Sequence, residues 1–333
     1  MKKSLFGTMA LVPILGLALL MAFAGCGGNS PSDPSHLGPD VYVVGYDDGG
    51  YSVAKVWKNG VATSLSDGTY DAYAYSVFVS GSDVYAAGSE YNGSQWVAKV
   101  WKNGTATSLS DGTNYAEARS VFVSGSDVYA AGYESNGSQW VAKVWKNGTA
   151  TSLSDGTNYA YARSVFVSGT DVYVAGYEHN GDKLITTVWK NGVATSLSDV
   201  GEARSVFVSG SDVYVAGHEY NGSQWVATVW KNGTATSLSD GTHTAYASSV
   251  FVSGSDVYVA GHENYVAKVW KNGVATNLTS SANDAYASSV FISGSDVYVA
   301  GYENYVAKVW KNGIATSLSD GTNYAEASSV FVK

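Results

Sequence analysis

Residues 120–153 read SVFVSGSDVYAAGYESNGSQWVAKVWKNGTATSL, and four β-forming runs stand in that stretch with turn chemistry between them. Ser120 to Val123 is a short run of β formers, and Ser124-Gly125-Ser126 turns the chain into Asp127 to Gly132, so the first two runs make a tight hairpin. Trp140 to Lys146 interleaves apolar, polar and aromatic residues as a third strand. Asn147-Gly148 tolerates the positive φ that a type I′ turn needs. Thr149 to Leu153 returns as a fourth strand, and Asp155-Gly156 breaks it. No stretch sustains a 3.6-residue period, so the expected fold is all-β.

The unit recurs. Trp-Lys-Asn-Gly has its Trp at 57, 101, 145, 189, 230, 270 and 310, and Ser-Val-Phe has its Phe at 78, 122, 166, 207, 251, 291 and 331 (Ser-Val-Phe with Ile292 after it in one copy). Seven copies account for everything after Pro39, and a four-stranded unit of this length is the signature of a propeller blade. A single blade would leave both apolar faces open, so the copies must pack face to face. A linear stack would need polar caps at its ends, whereas the first and last copies look like the others. The first copy starts at Asp40-Val41-Tyr42, the second strand of the unit, and the chain stops at Ser329-Val330-Phe331-Val332-Lys333, the first strand. The expectation is a seven-bladed β-propeller of antiparallel blades in which the C-terminal strand completes the first blade and leaves no unpaired edge.

A Trp near the end of the third strand, followed by a turn, resembles the WD-repeat propellers over all seven units. Lys58, Lys102 and their equivalents stand where that family has Asp, and its Gly-His signature is missing before the first strand, so the resemblance implies the architecture and not the hydrogen-bonding network. The near identity of the copies also resembles the multivalent propeller lectins of the tachylectin type, in style rather than in any shared motif.

At the N-terminus, Lys2 and Lys3 precede an apolar run from Leu5 to Ala24 that ends at Phe23-Ala24-Gly25-Cys26, the one cysteine of the chain. This is secretory-signal grammar, and it resembles the lipobox of bacterial lipoproteins, with Phe23 where Leu is usual. The resemblance implies a signal peptide over 1–25, a lipidated Cys26 heading a flexible tether over 26–39, and a membrane partner through acyl chains; two or more chains anchor stably where one binds marginally. By the same resemblance Gly27 implies outer-membrane sorting in a Gram-negative host. The competing reading is an uncleaved membrane helix, weakened by Gly7, Pro13 and Gly16.

Composition narrows the function classes. Of 333 residues 45% are hydrophobic and 14% charged, with 38 Gly, 25 Tyr and 10 Trp; the glycine argues against a helix bundle and the aromatics against disorder. The formal charge of −9 argues against nucleic acid. Beyond the tether there is no Cys and no Met, which excludes thiol nucleophiles and soft-metal sites, and no Gly-x-Ser-x-Gly elbow occurs. His179, His218, His243 and His262 read as variable-loop residues, the second and fourth replacing a Tyr of other copies. No catalytic residue, metal or cofactor is expected, and the chain reads as a monomer.

The turns between first and second strands and between third and fourth are nearly invariant, and they share one face of a propeller. The loops of the opposite face vary in sequence and length, through function or through drift among duplicated copies. On that side stand the three arginines of the chain, Arg119, Arg163 and Arg204, each three residues before the repeat Phe in consecutive copies, with Tyr75, Ser248, Ser288 and Ser328 as equivalents. Residues two apart share a strand face, so they and the series Tyr73, Glu117, Tyr161, Glu202, Tyr246, Tyr286 and Glu326 should ring the mouth of the central channel. Three guanidiniums there would form an anion site, unless Glu117 and Glu202 neutralise Arg119 and Arg204 in ordinary ion pairs. Trp96, Trp140, Trp225, Tyr265 and Tyr305 begin third strands and serve either as ligand platforms or as caps on the blade packing. The acidic series from Asp47 and Glu90 to Glu303 reads as a solvated rim, and calcium would need convergent oxygens that spacing does not establish. The resulting expectation is a lipid-anchored module of the cell envelope, non-catalytic, that binds or scaffolds a protein, a glycan or an acidic ligand. A lectin-like propeller and a propeller hydrolase or lyase are the alternatives.

Overall fold

The computed structural model describes residues 38–280 and 284–333. Cys26, the leader and the tether as far as Leu37 lie outside the described residues. Twenty-eight strands there form seven four-stranded antiparallel sheets, six of them running in chain order from an inner to an outer strand and the seventh taking its inner strand from the C-terminus. In the third blade the strands are Ala116–Ser124, Asp127–Ser135, Trp140–Lys146 and Thr149–Ser152. The inner strand thus starts four residues before Ser120, because polar Glu117 and Arg119 face the channel rather than ending the strand.

Closure is as the termini require. Ala325–Val332 pairs antiparallel with Val41–Asp48 in a register running from Val41 opposite Val332 to Asp47 opposite Ala325. Beyond the ladder, the Asp40 N–H donates to the Lys333 carbonyl at 2.8 Å and the Lys333 N–H to the Asp40 carbonyl at 2.9 Å.

There is no single central core. Seven apolar clusters lie between neighbouring blades, each built around one repeat Trp: Trp145 packs on Tyr85, Ala87, Ala98 and Val100 of the preceding blade. Across the closing seam Trp57 packs on Tyr298, Ala300 and Ala307 in the same manner. The seven indoles are no more than 1% exposed, and fully buried alanines give them room. Their Nε1 atoms have no hydrogen-bond partner, so burial and van der Waals contact hold them.

Each residue of Ser-Val-Phe has its own task. The serine Oγ accepts a hydrogen bond from the valine N–H of the next inner strand, from Val121 to Ser76 and Val165 to Ser120 around to Val77 to Ser329, all at 3.1–3.2 Å. The valine enters the interblade core. The phenylalanines form a complete collar around the channel, with neighbouring centroids 4.7–5.0 Å apart and ring planes 47–55° apart. One seventh of a turn is about 51°, so the collar follows the sevenfold arrangement of the blades.

The invariant face is also explained by local chemistry. Asn103 and Gly104 both have positive φ, at 49° and 81°, as a type I′ turn demands. Asn103 Oδ1 accepts from the Val84 N–H and its Nδ2 donates to Asp83 Oδ1, both at 2.8 Å. Lys102 Nζ reaches Asp83 Oδ2 at 2.7 Å and lies 5.4 Å above the Tyr85 ring. This clasp recurs from Asp40 and Lys58 to Asp296 and Lys311. The lysine of each Trp-Lys-Asn-Gly therefore has a structural partner of its own.

Candidate functional site

A β-bulge builds the channel mouth. Ala118 lies opposite Gly132 and Ser120 opposite Ala131, which leaves Arg119 as the extra residue of its strand. Such a residue bends the strand and re-aims its side chain. A bulge falls at the same place in every blade, with Tyr75, Arg163, Arg204, Ser248, Ser288 and Ser328 in the extra position. It also explains how Arg119 and Phe122, three apart, both line the channel, since one unpaired residue restores the parity. The second-strand glycine is required by this backbone: a Cβ on Gly132 would sit 1.9 Å from the Glu117 carbonyl oxygen.

The three arginines converge on one cavity of about 440 Å³, which the four remaining bulge residues, Tyr46, Tyr73 and Glu326 also line. They are not equivalent. Arg119 Nε lies 2.7 Å from Glu117 Oε2, and its guanidinium is 4.1 Å above the Tyr75 ring. Arg204 Nη2 donates to Glu202 Oε2 at 3.2 Å with 40% of the side chain exposed. Arg163 Nη2 donates to the Tyr177 hydroxyl at 3.1 Å, beside the stacked Tyr161 and Tyr177 rings, whose centroids are 5.8 and 5.5 Å from its guanidinium, and its buried Nε has no acceptor. The neutralising pairs expected for Arg119 and Arg204 form. Among the described residues Arg163 has no carboxylate partner.

The other arc of the mouth is different in charge. Glu326, from the first blade, accepts hydrogen bonds from the Tyr46 hydroxyl at 3.1 Å and the Tyr324 hydroxyl at 3.3 Å. Burial pushes its carboxyl up, against the lowering effect of those hydroxyls. Ser248, Ser288 and Ser328 fill the remaining bulge positions on this side, and Ser328 Oγ is buried without a partner.

The second strand contributes a ring that the sequence reading did not identify. Tyr133, Tyr177, His218, His262, Tyr302 and Tyr46 lie directly opposite Glu117, Tyr161, Glu202, Tyr246, Tyr286 and Glu326. The signal was present as a residue following the strand glycine in every copy. The histidine assignment is corrected accordingly: His179, His218 and His262 belong to strands, and His243 to a loop. The second strand continues past its glycine for two or more residues, which carries these side chains out of the loops. His218 is 2% exposed, and burial, then Arg204, hold its pKa down at about 2. Burial and Arg204 likewise hold His262 at about 3.

The aromatic platforms divide. Trp96 stacks on Tyr73 at 5.3 Å, Trp140 meets Tyr115 edge-on at 4.8 Å, and Trp225 meets His218 edge-on at 4.8 Å; all three are half-buried in such contacts. Tyr265 and Tyr305 are 59% and 60% exposed. They occupy the second position of two-residue turns with φ of 63° and 68°. Tyr265 lines a second cavity of about 540 Å³ together with His262, Asn264 and Tyr286, and Arg204, Ser248, Ser288 and Glu326 line both cavities. The other four platform residues line neither.

On the rim, Asp47, Glu90 and Glu134 pair with Lys55, Lys99 and Lys143 at 2.5–3.0 Å, and Glu263 and Glu303 pair with Lys268 and Lys308. Thr187 and Thr228 replace that lysine beside Glu178 and Glu219, and burial, with Asp155 nearby, pushes Glu178 up. Among the described residues no group of three or more His, Cys, Asp or Glu side chains is arranged to hold a metal ion. No family model matches the chain, and no curated protein matches it.

Proposed function

We propose that this chain is a non-catalytic binding module, lipid-anchored through Cys26 on the extracytoplasmic side of the cell envelope, that receives an acidic group at the channel mouth. The observation that carries the reading is Arg163: a guanidinium lining a ligand-sized cavity whose only polar partner among the described residues is the Tyr177 hydroxyl. A guanidinium whose one partner is a neutral hydroxyl keeps donors available to a carboxylate. The non-catalytic part is supported by the proton chemistry. His218 and His262 are far too weak as bases near neutral pH. Burial pushes the phenols of Tyr161 and Tyr286 up to about 12, away from phenolate formation.

Titration of the protein with acetate at low salt, followed by ligand-observed NMR, tests the site. Binding is expected in the wild type and to weaken at least about tenfold in Arg163→Ser, the loss of one charge-assisted contact. Equal binding by the two proteins removes the argument for the site. The anchor has its own test: Cys26→Ser is expected to move the protein from the membrane fraction to the soluble fraction, and an unchanged distribution refutes lipid attachment at that residue.

A further inference from the structure

We propose that the ligand of this mouth is a carboxylated sugar, a uronic-acid unit, seated across the two adjoining cavities with its carboxylate on Arg163 and Arg204 and its ring against Tyr265. The inference rests on the anion-binding reading above and deepens it to a ligand class.

Charge sets the number of acid groups. Glu117 and Glu202 already pair with Arg119 and Arg204, so one guanidinium, Arg163, is in surplus. Glu326 lines both cavities with its carboxyl pushed up by burial, and no second surplus guanidinium stands there to take another anionic group. A polyanion therefore fits poorly, whereas a single carboxylate on an otherwise neutral, polar body fits the arc-to-arc asymmetry. The remaining lining is suited to hydroxyls, because Ser248, Ser288, Thr244 and Asn264 offer side-chain donors and acceptors.

Tyr265 supplies the independent observation. It sits at a φ of 63° in a two-residue turn, a left-handed conformation that a bulky residue adopts only under strain. The chain shows what it uses when such a turn is purely structural, since all seven Trp-Lys-Asn-Gly turns place glycine at this position, with φ between 81° and 84°. At Asn264-Tyr265 the strain-free glycine is replaced by an exposed ring on the cavity edge. An aromatic face beside hydroxyl-bearing side chains suits the apolar face of a pyranose. Tyr305 repeats the arrangement one blade further on and is placed to take a neighbouring sugar unit.

The test is ligand-observed NMR on the full chain at low salt, with galacturonate and glucuronate oligosaccharides, the corresponding neutral oligosaccharides, and acetate. The acidic sugars are expected to bind about tenfold more tightly than either the neutral sugars or acetate, and Arg163→Ser is expected to erase the preference over neutral sugars. Tyr265→Gly is expected to raise the melting temperature while weakening acidic-sugar binding severalfold and leaving acetate unchanged, a pair of opposite effects that a merely structural tyrosine would not give. Acetate binding without preference for the acidic sugars, or sugar binding that survives Tyr265→Gly, overturns this proposal and leaves the anion site standing. Failure of every ligand, acetate included, overturns both.

Discussion

Deleting Ser329 to Lys333 is expected to abolish cooperative unfolding rather than trim a tail. The deletion removes the ladder partners of Val41 to Val44 and takes the buried Val330 and Val332 out of the seam core. It opens the phenylalanine collar at Phe331 and strips the Val77 N–H of its Ser329 acceptor. Two buried valines contribute roughly 1.5–3 kcal/mol each, and every orphaned buried polar group costs about 1–3 kcal/mol more. The total approaches the 5–15 kcal/mol typical of whole domains. Near-UV circular dichroism on heating should show loss of the sharp transition, and a synthetic peptide spanning residues 325–333 should restore it by adding the missing strand. A truncated chain that melts within a few degrees of the intact one would refute closure as the source of stability.

The second large effect concerns acid. Because His218 and His262 are held neutral in the folded protein, with pKa values of about 2 and 3 against 6.5 when unfolded, the unfolded chain binds more protons below pH 6.5. Stability therefore falls as pH drops through that window. Between pH 7.5 and pH 5 the loss is expected to be about 2 kcal/mol for His218 and somewhat less for the more exposed His262. The groups around them do not remove the effect. Glu202, 3.9 Å from His218, is already committed to Arg204, and Arg204 opposes a second positive charge beside either ring. Glu326 acts with the opposite sign, since its raised pKa lets the folded state hold a proton that the unfolded chain releases above 4.5. The clasp aspartates, held below their usual range chiefly by the lysine hydrogen bond, lose their contribution only at lower pH. The double variant His218→Tyr, His262→Tyr installs the residue of four other copies and leaves Glu326 in place. Urea unfolding at the two pH values should show its stability changing little across the interval, and a wild-type protein with the same shallow dependence would contradict the burial argument.

Most of the architecture could be read from periodic marks with strong local meaning. Asn-Gly dictates a turn, Trp145 and its equivalents demand a buried partner surface, and the offset between Val41 and Val332 implies the seam. The site was legible only in outline. Arg119, Arg163 and Arg204 stood out because the chain has no other arginine, and spacing by two aligns them with Glu117, Tyr161 and Glu202, whereas their sharing the channel with Phe122 and its equivalents depends on the bulge. Their inequality does not follow from spacing, since it depends on which carboxylate or hydroxyl each reaches in three dimensions. The bulge has no signature of its own in the inner strand; its one trace is Gly132 on the neighbouring strand, where the Glu117 carbonyl comes too near for a side chain. Tyr265 could be aligned with Trp96 by counting, yet its strained φ and its cavity emerge only with the shortened loop in place.

The chain begins its first strand at Val41, beside the Asn59 turn, whose side chain bonds both the Val41 N–H and Asp40, whereas the arginines open on the other face of the disc. The molecule is consequently sided. Under the attachment through Cys26 proposed above, the guanidinium-bearing bowl would open on the face opposite the entry of the chain, and a captured solute would be held there, away from the point of attachment.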